Sequence, residues 1–341
     1  METRIQTNNA PAFMPVIRQA DVQPATAFQV IPVQQPKTLP FIEANTKEAT
    51  LSHLSEDCII PVFSKDNEVT ISHQSFIETI HQAARTVFPN EQISDPVIRV
   101  SHIVKGRIPE AIHKPVSQLL ETDKTIYYER MMFCFEIPSI HQDIDGCRLN
   151  LTIGGVRAYN EQNLYSRKAP EKFRIFIGFK NMVCCNLCVS TDGYKSCLKV
   201  MDTAAMLGQA VDLFRGYDMQ QHLRLMEAYR ECSMSESQFA QFLGKCRMYQ
   251  YLPSSQKKHP PNLLMTDTQV GIVARSYYED PNFGGSMGGD ISLWKVFNLL
   301  TGANKSSYID NFLDRAENAG TLTTGLCMAL FGDPQYSWFI R

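Results

Sequence analysis

From about residue 48 apolar positions recur regularly, with a period that alternates between that of a helix and that of a strand. Residues 74–87 place Phe76, Ile77, Ile80, Ala84 and Val87 on one helical stripe, which Pro89 stops. Residues 97–104 alternate Ile98, Val100, His102 and Val104, which predicts a strand, and a helix is expected near 109–121. Period two returns at Met131, Phe133, Phe135 and Ile137, then at Leu149, Leu151 and Ile153. It returns again at Phe173, Ile175, Ile177 and Phe179, where the apolar run continues to residue 190. HQDIDG (141–146) reads as the turn between two of these strands. Beyond Asp202 the period becomes helical. Asp202, Asp218 and Asp290 read as N-caps, and Ser233 with Glu236 as a capping box. QKKHPP (256–261) is expected as a loop, and helices near 306–319 and 322–331 end the body. The pattern predicts an α+β fold: a mainly antiparallel sheet with a helix in the N-terminal half, and a helical bundle in the C-terminal half. Residues 41–200 are expected to form the sheet domain, with the helical region 201–341 packed on it as one unit.

The first forty residues break this regularity. They hold six prolines and many glutamines, and their apolar residues are scattered. Such a segment cannot bury enough surface to offset its ordering entropy, so residues 1–40 are expected as an extended, disordered arm.

Composition narrows the function classes. Lys and Arg number 33 against 35 Asp and Glu, a formal charge of −2, which excludes coating nucleic acid by bulk charge. No run approaches the roughly 18 consecutive apolar residues of a membrane span, and METRIQTNNAPAFMPVIRQ has no apolar leader. A soluble, cytoplasmic protein with no membrane partner is expected. The ten cysteines lie mostly inside apolar runs, which suits reduced, buried thiols.

Candidate chemistry concentrates between residues 148 and 199. Cys185-x-x-Cys188 has zinc-ligand spacing, with Cys184 and Cys197 nearby, but a closed site needs a second pair and none exists. No metal and no cofactor are therefore expected, and Cys184 and Cys188 are placed on one face of a strand. The same segment carries nine basic residues against three acidic ones, interleaved with aromatics. Cations for phosphates beside rings that stack on bases are the physics of single-strand binding. Arg157, Arg167, Lys168, Lys172, Arg174 and Lys180, with Tyr159 and Tyr165, are the candidate contacts to single-stranded DNA or RNA. The alternative for the same strip is a solvated face with its aromatics in the core. His102 reads as a core histidine, His141, Asp143 and Asp145 as turn residues, and FGGSMGG (283–289) as a flexible loop without the Gly-Lys-Ser/Thr ending of a phosphate cradle. Gly154-Gly155 reads as a bulge or bend. No nucleophile elbow, His-Glu-x-x-His or kinase signature is present, so no catalytic residue is assigned.

VSHIVKGRIPEA (100–111), YYERMMFCFEIP (127–138), LTIGGVRAYNEQNLYS (151–166), KFRIFIGFKNMVCCNLCVSTDG (172–193) and LWKVFNLLTGANKSSYIDNFLDRAENA (293–319) together resemble the domain-of-unknown-function family 3871 of phage-like and conjugative elements in gut bacteria. The resemblance spans roughly residues 95–320. Val183, Cys184, Cys185 and Asn186, with the helix Trp294–Thr301, are more distantly similar to family 932 of phage and plasmid-like proteins. Both resemblances imply an accessory protein of a mobile element and supply no catalytic residues. Three function classes stand: a nucleic-acid-associated protein, a protein-interaction module such as an inhibitor of a host defence system, and an enzyme. A host or element-encoded protein is the partner in the second class.

Overall fold

A computed structural model describes residues 40–58, 70–111, 113–162, 169–258 and 260–341. The arm expected over 1–40 lies outside them except for Pro40, as do Tyr165, Arg167 and Lys168. Leu39–Arg341 forms one compact unit.

The strands are β1 (Lys47–Ala49), β2 (Val97–Arg107), β3 (Lys124–Ile144), β4 (Cys147–Ala158), β5 (Glu171–Asn181), β6 (Leu187–Cys188) and β7 (Tyr194–Val200), all antiparallel in one sheet. They pair in sequence order from β1 to β6, and β7 pairs with the other end of β5. β8 (Ser233–Ser235) and β9 (Asp290–Ser292) form a separate ribbon. The helices are α1 (Leu51–Glu56), α2 (His73–Val87), α3 (Thr203–Gly216), α4 (Met219–Glu231), α5 (Glu236–Tyr251), α6 (Asp267–Glu279), α7 (Leu293–Asn304) and α8 (Ile309–Leu330). The fold is α+β.

Period-two alternation sends each strand's residues to two different cores. Phe133, Phe135, Ile153, Phe173 and Ile177 face α2 and α3, in a core that runs on into the helical half. Met132, Cys134, Val156 and Phe176 face the opposite way, against Ile309, Phe312, Leu313 and Ala316 of α8 and against Phe41 and Ile42. The sheet is therefore covered on both sides. Gly154 and Gly155 keep regular register with β3 and β5 rather than forming a bulge. At Gly155 a Cβ would lie 2.5 Å from Cζ of Phe76, so its absence lets the α2 ring settle on the sheet.

Several local expectations shift. The helix near 109–121 is three short 3-10 turns separated by loop, and β3 runs through residues 139–144 before the turn at Asp145-Gly146. Ser235 with Gln238, not Ser233 with Glu236, makes the capping box of α5, and Ser292 rather than Asp290 caps α7. The two C-terminal helices are one, α8, because no residue between 319 and 322 breaks it. His102 takes a left-handed φ of 58° and its side chain is exposed, so it is not a core residue. Cys184 lies in a turn and Cys185 has φ 59°, so Cys184 and Cys188 do not share a continuous strand. Cys232 and Cys327, expected as thiols, are joined by a disulfide across 95 residues, because α4 ends beside α8.

α7 is apolar nearly all round and buried, as a central helix must be. Its one amide side chain facing the sheet is Asn298. Asn181 Nδ2 donates to Asn298 Oδ1 at 3.0 Å, and Asn186 Nδ2 donates to the Asn298 carbonyl at 3.0 Å. Lys305 donates to the Cys184 carbonyl. Residues 181–186 and α7 thus meet in space, and these bonds hold the turn after β5 against α7.

Removing one partner from this buried set strands the other. Asn298→Ala is expected to lower unfolding free energy by about 1–3 kcal/mol, since Asn181 Nδ2 loses its acceptor. In urea melts, Asn181→Ala combined with Asn298→Ala should cost less than the sum of the single changes. Strict additivity would show that the two amides do not interact.

Candidate functional site

The cations singled out in the strand region mostly serve the interior. Arg157 is 0% exposed, its guanidinium carbon 4.3 Å from the Tyr159 ring centre and 4.6 Å from that of Phe173. It pairs with Glu171, whose other oxygen accepts the Ile71 N–H at 2.9 Å. Tyr159 is buried beside it, and burial pushes its phenol up to about 12. Lys180 is buried and donates to Glu136 at 2.7 Å. Arg174 makes a two-bond contact with Glu161 at 2.7 and 3.0 Å and lies 3.5 Å from Asp314 of α8. Arg174 and Lys180 do lie on the sheet face opposite Phe173 and Phe179. That face is the one α8 covers. Among the described candidates, Lys172 alone has an exposed side chain. Alternation along a strand sorts residues between faces but carries no information about what packs on each.

Of the cysteine cluster, Cys185 and Cys188 are buried, Cys184 is half-buried and Cys197 is exposed. Burial pushes the Cys134 and Cys184 thiols up to about 12 and raises Cys188 well above its usual range. Among the described residues no three His, Cys, Asp or Glu side chains converge as metal ligands.

A cavity of about 380 Å³ opens instead between α4, α8 and the segment 189–192. Its polar wall is built from the start of α4. Asp218 caps that helix, its carboxylate accepting the Gln221 N–H at 2.8 Å. Asp192 fixes the cap from across the chain: one oxygen accepts the Asp218 N–H at 2.9 Å and the other the Ser190 hydroxyl at 2.6 Å. One turn into the helix, this places His222 on the cavity wall. Its Nδ1 lies 2.7 Å from the Tyr217 hydroxyl. Burial raises the Tyr217 phenol well above its usual range, so it keeps its proton. Donating that proton to Nδ1 assigns the imidazole hydrogen to Nε2, which has no partner among the described residues. Burial lowers His222 to about 4, against a smaller opposing effect of Asp192. The wall therefore offers a neutral N–H donor.

The remaining walls are mainly apolar: Val189, Leu225, Phe297 and Met328. Tyr229 braces them, its hydroxyl 2.6 Å from Thr324 Oγ1 and donating to the Gly320 carbonyl at 3.1 Å. Tyr336 closes the far end across Gly325, where a Cβ would lie 2.3 Å from the ring. A second cavity of about 420 Å³ borders Asp314, Arg315 and Glu317. Thr191 lines both cavities and donates to Glu317 Oε1 at 2.6 Å. The second cavity's carboxylates are engaged by Tyr194, Arg174, Thr191 and Thr321, whereas the first presents His222 Nε2, which has no hydrogen-bond partner among the described residues. None of this site was legible in the sequence, because residues 189–192, 217–229 and 320–336 converge only in the fold. The N-cap at Asp218 was the one local signal near it.

Both buried histidines make stability depend on pH. His73, lowered to about 3 by burial and then by Arg157, donates Nε2–H to the Tyr128 carbonyl at 2.8 Å and stays neutral, as does His222. Unfolded histidines titrate near 6.5, so the unfolded chain binds more protons below that pH. Stability is expected to be full above about pH 6.5 and to fall on acidification toward pH 4 for His222 and pH 3 for His73. Each histidine contributes a slope of up to about 1.4 kcal/mol per pH unit. Denaturant melts of His222→Gln should show a shallower decline between pH 6 and 4. An unchanged slope would mean that His222 is solvated.

Among the described residues no helix is long and apolar enough to cross a membrane. No curated protein and no solved structure matches this chain. A family described as "Domain of unknown function, B. Theta Gene description (DUF3871)" matches over residues 25–340. With nearly its whole length in that match, the chain belongs to this family of uncharacterised domains.

Proposed function

We propose that this chain is an auxiliary, non-enzymatic binding protein whose small-molecule ligand sits between α4 and α8. The observation that carries this reading is the unpartnered His222 Nε2–H on the wall of a 380 Å³ cavity. Sites for small ligands typically fall in this size range and combine apolar walls with a few fixed polar groups. The ligand chemistry that fits is an apolar body with a hydrogen-bond acceptor. Asp192 and Glu317 flank the cavity and disfavour an anion. An accessory role in a mobile element, implied by the sequence resemblance, is compatible with binding without catalysis. Acetophenone and benzoate, similar in size and different in charge, are suitable probes by protein-observed NMR. Acetophenone at millimolar concentration should shift the His222 Nε2 resonance, and Leu225→Trp, which fills the cavity, should abolish the effect. Benzoate should bind at least fivefold more weakly. No response to acetophenone would overturn the small-ligand reading.

A second reading keeps nucleic acid as partner on a narrower footing. Lys172 and Lys199 sit directly opposite each other on β5 and β7, and both are exposed, as is Lys195. Like charges placed opposite repel, and a phosphate between them would relieve that repulsion. In this reading single-stranded DNA or RNA binds at about 50 mM salt. Changing Lys172 and Lys199 to Gln should reduce the slope of log K against log salt by about 1.4, or about 0.7 per contact. An unchanged slope would remove this edge from consideration.

A further inference from the structure

The same two helices that form the cavity carry a covalent tie. Cys232 caps the C-terminus of α4 and Cys327 lies in α8, with Cα atoms 6.0 Å apart. Tyr229 and Thr324 each lie three residues earlier, and their hydroxyls are 2.6 Å apart on the cavity wall. One covalent and one hydrogen-bonded link therefore join neighbouring turns of α4 and α8. Cys232 is held in place by its carbonyl, which accepts the Leu293 N–H at 2.8 Å. Cys327 is half-buried, next to the exposed Met328 at the cavity rim, whereas Cys232 is buried, so Cys327 is the less covered partner.

We propose that Cys232 and Cys327 are a thiol–disulfide exchange site for low-molecular-weight thiols and disulfides of the glutathione class, and that its state sets how firmly α4 is held to α8. A thiolate attacks Cys327 Sγ and forms a mixed disulfide there, and the Cys232 sulfur leaves as a thiolate and takes a proton. A second thiol attacks the sulfur of the small molecule in the mixed disulfide. It releases Cys327 as a thiol, and the small molecule departs as its own disulfide. Two protein cysteines are reduced and two small thiols oxidised; the reverse sequence restores the tie. Six of the other eight cysteines compete poorly. Burial raises the thiols of Cys58, Cys134, Cys147, Cys184, Cys188 and Cys246, which keeps them protonated and unreactive. The consequence for ligand binding rests on the cavity reading above; the exchange chemistry does not.

The test equilibrates the full chain in reduced and oxidised glutathione, quenches with acid, unfolds it in denaturant to alkylate every free thiol, and reads intact mass. Oxidised protein is expected to take eight labels and reduced protein ten, with Cys232 and Cys327 accounting for the difference. Hydrogen exchange should accelerate at least tenfold on reduction in residues 219–231 and 320–330, with β3 to β5 unchanged. The variant carrying Cys232→Ser and Cys327→Ser should show the fast exchange in both buffers. Ten labels in every buffer would overturn the proposal, as would a change in labelling without faster exchange. Acetophenone should bind the reduced protein at least threefold more weakly. If it binds neither form while labelling and exchange switch as expected, the cavity reading fails and the exchange site stands.

Discussion

Asn298 joins the sheet to the buried central helix by directed bonds rather than by apolar contact alone. It is buried in α7, takes a hydrogen bond from the Asn181 side chain at the end of β5, and offers its carbonyl to Asn186 in the following turn. Its own amide donates to the Trp294 carbonyl at 2.9 Å. A buried amide left without partners costs more than a made bond contributes, so this set tolerates one arrangement. That arrangement places the turn 182–186 against α7. It leads directly into segment 189–192 and hence sets one wall of the α4–α8 cavity.

The basic strand region is explained by the sheet's double cover. Once α2 and α3 pack on one face and α8 on the other, Arg157, Arg174 and Lys180 on the central strands are drawn into a low-dielectric layer. Such charges persist only when paired. Arg157 is accordingly matched by Glu171, Lys180 by Glu136, and Arg174 by Glu161 and Asp314. The exposed lysines Lys172, Lys195 and Lys199 remain at the β5–β7 edge, where the sheet ends.

The cavity follows from how α4 is held. Its N-terminus is fixed by Asp192, and its last turn by Cys232 and by the contact of Tyr229 with Thr324. Between these anchors the α4 side chains need not fill the space to α8, and His222 and Leu225 border the gap instead. A helix pinned at both ends can leave a void that free packing would close. This joins the covalent tie and the binding site in one mechanical unit.

Strand alternation, helical stripes and caps are local properties, and they determined the α+β class, the antiparallel sheet and most helix starts. Period two places Phe173 and Phe179 on one face of β5 and Arg174 and Lys180 on the other, because side-chain direction alternates along a strand. Alternation could not say that α8 lies over the second face, since Asp314 is 140 residues from Arg174. Cap position was legible only within a few residues: Ser235 prevailed over Ser233 because the ribbon of β8 with β9 takes residues 233–235. The partnership of Cys232 with Cys327, the amide set at Asn298 and the cavity beside His222 were decided by tertiary structure alone. Each depends on groups that the chain brings together from about 90 or more residues apart, and no local propensity encodes such a meeting.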